Sequence, residues 1–512
     1  MPVIRLSLAR KKRCWHWSTC RQALLTIRSG GFRELLSATD PLDLPFLWEQ
    51  YWPGLLAVLG VLLATGTTIH IVLHKRESRA AAAWTGLVWL VPFVGFVLYL
   101  MIGVNRIRRR ARQLTGGRLD IVSGWRPAAE PQPPQGNMQS LAGLVARLTG
   151  LPLTAGNDVR VLQANEALTA MIEAIHGARE SVYLCTYIFG NDEAGRRMVA
   201  ALQAACERGV RVRVLVDGMG LLYSFPTIRR RLQDAGIPHG RFLYSLAPWR
   251  MPYLNMRNHR KILVVDRCLG FTGGMNLRAG YLTKPPIVHD LHFAVSGPAV
   301  GHLLHSVATD WHFTTGELLD DAYRGPAVQG AVMARGISAG PDADFEKRRL
   351  TLLAAIGSAE QEIRIMTPYF VPDQSIQMAL QLACLRGVRV RILLPQQNNL
   401  RVVHWASLHI LPWLVSRGCE VSLSSGAFDH GKLMTVDGCW SMIGSGNWDA
   451  RSLRLNFEFD MECYGEGLAA QLNHCFDMRE VHALRLDSSL ISEWSALRRV
   501  RYALAHILEP YL

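Results

Sequence analysis

The pattern HxK(x)4D(x)6G[GS]xN occurs twice in this 512-residue chain, the second copy 171 residues after the first. The first runs from His259 and Lys261 through Asp266 to Gly273-Gly274-Met275-Asn276, the second from His430 and Lys432 through Asp437 to Gly444-Ser445-Gly446-Asn447. In each copy a short apolar stretch, Ile262-Leu263-Val264-Val265 or Leu433-Met434-Thr435-Val436, separates the basic pair from the aspartate. This reads as a strand that begins at the histidine. Side chains alternate along a strand, so His and Lys two apart share a face. A lone His or Lys is ordinarily a surface or core residue; the same residue types at the same spacings require a fold that builds one arrangement twice.

The repetition reaches beyond the motif. Ser181–Phe189 is an apolar strand echoed by Glu362–Phe370, and Ala205–Leu215 closes a helix at Gly209 before entering a strand, as Ala383–Leu393 does at Gly387. Strand, helix, glycine, strand is the order of a βαβ unit and predicts an α/β fold of mostly parallel strands under helices. Two homologous αβα sandwich domains are expected, residues 139–327 and 328–512, forming one shared active site.

A different kind of sequence precedes them. Pro53 to Leu73 is an apolar run of about the ~20 residues that a membrane-spanning helix needs, and a second run, Ala80 to Val104, follows after the short polar loop His74–Arg79. Residues 47–104 therefore read as a transmembrane helical hairpin with Trp48, Tyr51, Trp52 and Trp84 near its interfaces. The run lies too far from Met1 for a signal peptide. Eight basic residues precede the first run, six follow the second between Arg106 and Arg118, and the loop holds three, which places both ends of the hairpin in the cytoplasm. With five acidic residues among them, these bases supply +12 of the chain's formal +15, so the catalytic region is nearly neutral. Charge so placed fits anionic headgroups better than nucleic acid, at ~1 kcal/mol per residue. Residues 1–46 read as a basic cytoplasmic tail, although their composition also suits a transit peptide. Residues 105–138 are a basic linker whose four prolines at 127, 131, 133 and 134 stiffen it. The ten cysteines show no CxxC and no metal-ligand spacing, as expected of reduced thiols in a cytosolic domain.

Two His-Lys pairs converging on one pocket suit phosphate. One imidazole can attack phosphorus while the other protonates the leaving alkoxide and later deprotonates the acceptor. Lys261, Lys432, Asn276, Asn447 and Ser445 would hold the non-bridging oxygens, work that a metal does elsewhere, so neither metal nor cofactor is expected. Asp290 and Glu458, 31 and 28 residues after His259 and His430, are candidates to orient those imidazoles. Asp266 and Asp437 complete the motif, but each stands at a strand end before a turn and is expected to tie the loop together.

At these residues the chain resembles the phospholipase D superfamily, whose signature is this motif in duplicate, and within it the bacterial cardiolipin synthases. Pro92–Gly103 resembles their membrane hairpin, Ser338–Asp342 with Thr367–Asp373 their central segment, Gly444–Glu458 their second active-site stretch and Leu508–Leu512 their C-terminus. Three departures stand out: Gly431 where the family usually has Ala, Gln396-Gln397-Asn398-Asn399 where an Asp is usual, and His289 in place of an aromatic residue or Arg. The resemblance implies phosphatidyl transfer between two phosphatidylglycerol molecules at the bacterial inner membrane, giving cardiolipin and glycerol. It also implies His259 as nucleophile and His430 as general acid and base, with the reverse assignment open because the symmetry of the two motifs gives neither histidine priority. A phospholipase D or transphosphatidylase using another donor or acceptor, and an HKD nuclease, are the alternatives; the near-neutral catalytic region argues against nucleic acid. Oligomeric state is not legible.

Overall fold

The computed structural model describes residues 44–75, 78–103, 136–243, 256–282, 287–320, 322–325, 330–341 and 344–509. The expected basic tail, apart from its last residues, and most of the linker lie outside them. Contacts divide the chain into two compact units, Met1–Val104 and Asn105–Leu512.

In the first unit, helix α1 spans Leu44–His74, and its stretch Tyr51–His74 is, among the described residues, the one helix long and apolar enough to cross a membrane. The second apolar run is not a single helix. It divides into α2 (Ser78–Leu90), α3 (Pro92–Leu98) and a π-helical turn, Tyr99–Gly103. Proline lacks an N–H and crowds the residue before it out of the helical region. Val91 accordingly sits at φ −140°, ψ 77°. The bend brings Gly95 against Val88, where a Cβ would stand 2.8 Å from the Val88 Cα. Ala64, Ile71, Val88 and Tyr99 form a small buried cluster. Trp84, expected at an interface, packs edge-on against Tyr99 at 5.4 Å.

Among the described residues, the second unit is built on a sheet of fifteen strands. The first repeat supplies β1 (Thr154–Gln163), β2 (Ser181–Thr186), β3 (Arg211–Asp217), β4 (His239–Phe242), β5 (Ile262–Val265), β6 (Leu269–Gly273) and β8 (Leu291–Ser296), with the short β7 (Val288–His289) outside the sheet. The second supplies β9 (Val332–Ala339), β10 (Glu362–Met366), β11 (Arg389–Pro395), β12 (Glu420–Ser424), β14 (Leu433–Val436), β15 (Trp440–Gly444), β16 (Glu458–Tyr464) and β17 (Leu484–Leu486), while β13 (Phe428–Asp429) pairs with β7. Outward from the centre, the orders are 1-8-6-5-2-3-4 and 9-16-15-14-10-11-12, with β17 at the edge. The repeats thus run in mirror order from the antiparallel seam of β1 and β9. Asn157 ties that seam: its amide donates to the carbonyls of Thr154 at 2.8 Å and Val332 at 3.1 Å, and its oxygen accepts from Ala299 N.

Only β2–β3–β4 and β10–β11–β12 are parallel; the other neighbours in the sheet run antiparallel, so the expectation of a mostly parallel sheet is corrected. The βαβ units account for the first strands of each repeat. After them, Asp266 and Arg267 (φ 46° and 58°) and Asp437 and Gly438 (φ 51° and 65°) form tight turns with two consecutive positive-φ residues. Such turns join strands as hairpins, here β5–β6 and β14–β15. Helices cover both faces, and one cluster containing Leu291, Phe293, Leu433, Ile443 and Phe459 draws on both repeats.

The motif aspartates serve these turns. Asp266 accepts from the backbone N–H groups of Arg179, Glu180 and Ser181, and Asp437 from those of Glu360, Gln361 and Glu362, at 2.7–3.2 Å. Each stands at the end of its strand opposite the histidine. Asp437→Ala should cost about 3 kcal/mol, as loss of charge-assisted bonds does, seen as a thermal midpoint several degrees lower in detergent. Asp437→Asn, which tolerates the same positive φ and keeps one acceptor, should lose about half of that. An alanine variant melting with the wild type would remove the structural role.

Candidate active site

Both strands begin after the lysine, at Ile262 and Leu433, so His259 and His430 stand on the connections entering β5 and β14. Each connection is pinned by the other repeat. His259 N donates to Phe457 O at 2.8 Å, and His430 N donates to His289 O at 2.7 Å. The residues that follow these acceptors are Glu458 and Asp290. This places each carboxylate on the histidine of the other repeat, a correction to the pairing by sequence distance. His259 Nδ1 lies 3.0 and 2.9 Å from the Glu458 oxygens, and His430 Nδ1 lies 2.8 Å from Asp290 Oδ2.

The lysines fold back alike, Lys261 Nζ and Lys432 Nζ each donating to the carbonyl of its own repeat's histidine at 2.6 Å. All four groups are buried. Burial lowers His259 and His430 to about 4 against the pull of their carboxylates, with Lys432 adding to the fall at His430. Burial also brings Lys261 down to about 7 and lowers Lys432. Each lysine is near enough to depress the other repeat's histidine, so the two half-sites form one electrostatic cluster. Burial would raise Glu458, but His259, Lys261 and the Ser445 hydroxyl outweigh it and hold the carboxyl at about 2. At His259 the resting arrangement is a carboxylate accepting Nδ1–H from a neutral imidazole, which leaves the Nε2 lone pair for chemistry; at His430, Lys432 Nζ lies 2.9 Å from Nδ1 and 3.3 Å from Nε2.

Of the groups expected to bind phosphate oxygens, Ser445 is committed elsewhere: its hydroxyl donates to Glu458 Oε2 at 2.6 Å. Asn276 accepts from Ile188 N at 3.3 Å and donates to the Tyr281 hydroxyl at 3.2 Å. The buried Asn447 keeps its side-chain oxygen unpaired, and its backbone carbonyl accepts from Arg348 at 2.8 Å. Asp266 and Asp437 are not brought to the histidines.

Several contributors were not singled out from sequence. Ser452 and Asn456 bond Glu458 at 2.9 and 3.1 Å. Arg348 pairs with Asp460 and holds the carbonyls of Gly446 and Asn447, fixing the glycine-rich turn. Tyr187 lies 5.0 Å from the His259 ring and 5.4 Å from Lys261 Nζ, while Tyr281, Tyr369 and Phe428 surround His430. The x of the first HxK, Arg260, crosses to the second repeat through Ser338 Oγ and the Glu458 carbonyl and pairs with Asp310. At the equivalent Gly431 a Cβ would meet Met366 Cε at 2.6 Å and Asp429 Oδ1 at 2.9 Å. Asn398 donates to Pro368 O at 2.7 Å and Asn399 accepts from the Tyr369 hydroxyl at 2.8 Å, so amides tie the loop where a carboxylate is usual. His289 contributes the backbone carbonyl that pins His430. One signal was available: Gly274 against Ser445 is matched to Asp290 against Glu458, because a Cβ at Gly274 would stand 2.3 Å from Asp290 Oδ1.

Residues 171–286 and 352–479 match the family described as "Cardiolipin synthase, PLD-like domain", and residues 62–103 match "Phospholipase_D-nuclease N-terminal". A cardiolipin synthase from Geobacillus sp. (strain WCH70) is 33% identical over 91% of this chain and 96% of its own length. Cardiolipin synthase A from Pseudomonas fluorescens (strain SBW25) is 34% identical over 90% and 98%. The chain belongs to the cardiolipin synthase family of the phospholipase D superfamily. The fold is shared more widely: the crystal structure of phosphatidylserine synthase from Haemophilus influenzae Rd KW20 superposes with a TM-score of 0.59 at 15% identity, over 73% of this chain and all of that one.

Two outcomes follow from this geometry. Gly274→Ala should displace Asp290 from His430 and lower turnover by about 10²-fold or more, with the thermal midpoint reported alongside; unchanged turnover would sink the Asp290 role. The second concerns pH. Both imidazoles are held near 4 against an ordinary 6.5, so below 6.5 the unfolded chain takes up protons that the folded chain refuses. Their contribution to stability is complete above 6.5 and declines toward 4. Glu458, ordinarily at 4.5, adds no slope until pH falls below that value. The thermal midpoint should therefore fall between pH 6.5 and 4.5, and less steeply in a His259→Asn/His430→Asn variant; parallel slopes would contradict the buried neutral imidazoles.

Proposed function

We propose that this chain transfers a phosphatidyl group from one phosphatidylglycerol to another, forming cardiolipin and free glycerol through a phosphatidyl-histidine intermediate. The observation that carries the reading is the crossed pair of His-carboxylate contacts, which joins two half-sites into one cluster of imidazoles and lysines. Family membership supplies the substrate class. One phosphodiester is exchanged for another, so no nucleotide is consumed and the equilibrium constant lies near unity, with direction set by glycerol and lipid concentrations.

His259 is the proposed nucleophile. Its Nδ1–H is directed at both oxygens of Glu458, which three further side chains, Ser445, Ser452 and Asn456, hold in place. Asp290, by contrast, accepts from Leu291 N besides contacting His430. The firmer frame belongs on the imidazole that must aim a lone pair. His259 Nε2 forms a bond to phosphorus as the bond to the glycerol oxygen breaks, and His430 gives that oxygen its proton. The neutral His430 then takes a proton from the glycerol hydroxyl of the second lipid, whose oxygen attacks phosphorus and releases His259. Lys261 and Lys432 neutralise the non-bridging oxygens, with Asn447 as an amide contact. The aspartates of the motif have no part in these steps. The proposed organisation is an N-terminal hairpin over 47–104, crossing the inner membrane with both ends cytoplasmic, and two phospholipase D-like domains over 139–327 and 328–512. The hairpin rests on the basic flanks of two apolar runs, and its second arm would be the bent pair α2 and α3.

His259→Ala and His430→Ala should each leave less than about a tenth of the wild-type rate, and the double variant should be little worse than either, because both act in one cycle. Denaturing a turnover mixture at mildly alkaline pH should leave phosphorus label on His259, released by acid. Label on His430 would exchange the two roles, and none would favour direct displacement. Cardiolipin formation should continue in excess EDTA; activity restored only by added magnesium or zinc would overturn the roles of the lysines. Lipid products decide the substrates, since phosphatidic acid as the main product would mean that water is the acceptor.

A further inference from the structure

The last helix, Ala496–Ile507, is apolar on two faces. Its inner face buries Tyr502 and Ala505, Ala505 in one cluster with Val403 and Ala406 of the helix Arg401–Val415 and with Tyr369 and Phe428. A helix docked on a protein surface ordinarily turns polar residues outward. Here the outward face carries Leu497, Val500, Leu504 and Ile507, which are 80, 54, 59 and 70% exposed and fall at i, i+3, i+7 and i+10. From Ser495 to Leu508 there are three arginines, Arg498, Arg499 and Arg501, and no acidic residue; helix Arg401–Val415 likewise contains none and exposes Val402 and Trp413.

We propose that this helix lies in the surface of an anionic bilayer and docks the catalytic unit there. An apolar stripe bordered by arginines, without acids, matches an acyl boundary beneath phosphate headgroups. The site's location fits the occupant. Tyr369 and Phe428, against which Ala505 packs, are also the rings around His430, at 5.9 Å each. The helix that would hold the lipid surface therefore packs directly on the rings that surround the imidazole that meets the incoming hydroxyl. The inference rests on the phosphatidyl-transfer reading only for its purpose, not for its geometry.

The test uses the full chain in vesicles of phosphatidylcholine and phosphatidylglycerol carrying a lipid with a photoactivatable acyl chain, with labelled peptides mapped by mass spectrometry. Label is expected on 496–508 and, as internal control, on Tyr51–His74. Leu497→Gln/Val500→Gln/Leu504→Gln should lower label on 496–508 about fivefold or more and leave the control unchanged. The same variant should lose about tenfold in vesicle turnover yet stay within about twofold of wild type in detergent-lipid micelles, where substrate reaches the site without docking. Micellar turnover also reports folding. Labelling of the control helix without 496–508 would overturn the proposal. So would a wild type that is dimeric in detergent and a variant that is monomeric, which would assign the face to a second copy. A wild type that makes no cardiolipin in micelles would refute phosphatidyl transfer, while the labelling would still decide the docking.

Discussion

The contact on which the site depends is the hydrogen bond from each motif imidazole to a carboxylate of the other repeat, His259 to Glu458 and His430 to Asp290. A buried carboxylate is costly to desolvate and is tolerated only when paired and bonded on its remaining lone pairs. Glu458 meets that demand with an imidazole, two hydroxyls and an amide, drawn from both repeats. Each carboxylate takes its imidazole partner from the other repeat. The seam of β1 and β9, tied by Asn157, therefore does more than join two sheets: it brings each carboxylate within reach of its histidine.

The duplication did not produce identical half-sites. Gly274 faces Asp290 where Ser445 faces Glu458, and the difference is steric: the glycine leaves room that the shorter carboxylate occupies, and the serine supplies a donor to the longer one. Arg348 and Asp460 clamp the second glycine-rich turn, while His292 stands in the first repeat where Asp460 stands in the second. Among the described residues, the rings of Tyr281, Tyr369 and Phe428 gather on His430 and that of Tyr187 on His259. Two roles in one reaction, attack and proton transfer, accommodate such divergence from a symmetric start.

Much of this was legible in the chain, because residue identity and spacing carry it. The motif residues, both orienting carboxylates and the βαβ segments could be named from sequence. The partner of each carboxylate could not, since distance along the chain ranks Asp290 beside His259 and only the pinning of His259 by Phe457 and His430 by His289 reverses that order. Strand direction was misjudged for a local reason. Asp437 reads from the sequence as a strand end before a turn, but it is the tightness of that turn, with positive φ at both Asp437 and Gly438, that sends the next strand back antiparallel. Pro92 inside the second apolar run was equally visible, and its effect on Val91 divides what composition alone presents as one helix. Ser445 was assigned to phosphate because a hydroxyl suits either partner; only coordinates reveal that Glu458 has it.

The electrostatics leave a question that the reaction itself answers. Both imidazoles are held near 4 and so are neutral at pH 7, yet one of them must give a proton to the leaving oxygen. The substrate is a phosphodiester anion. At a separation of about 4 Å and an effective dielectric near 20, a unit negative charge favours a protonated imidazole by about 4 kcal/mol, or roughly three pKa units. In the proposed reaction lipid binding favours the acid form of His430, the same event that supplies the lysines with their counter-charge, while the contact with Glu458 directs the one hydrogen of His259 to Nδ1. Activation of the leaving group in that proposed reaction is thereby coupled to the presence of an anionic lipid.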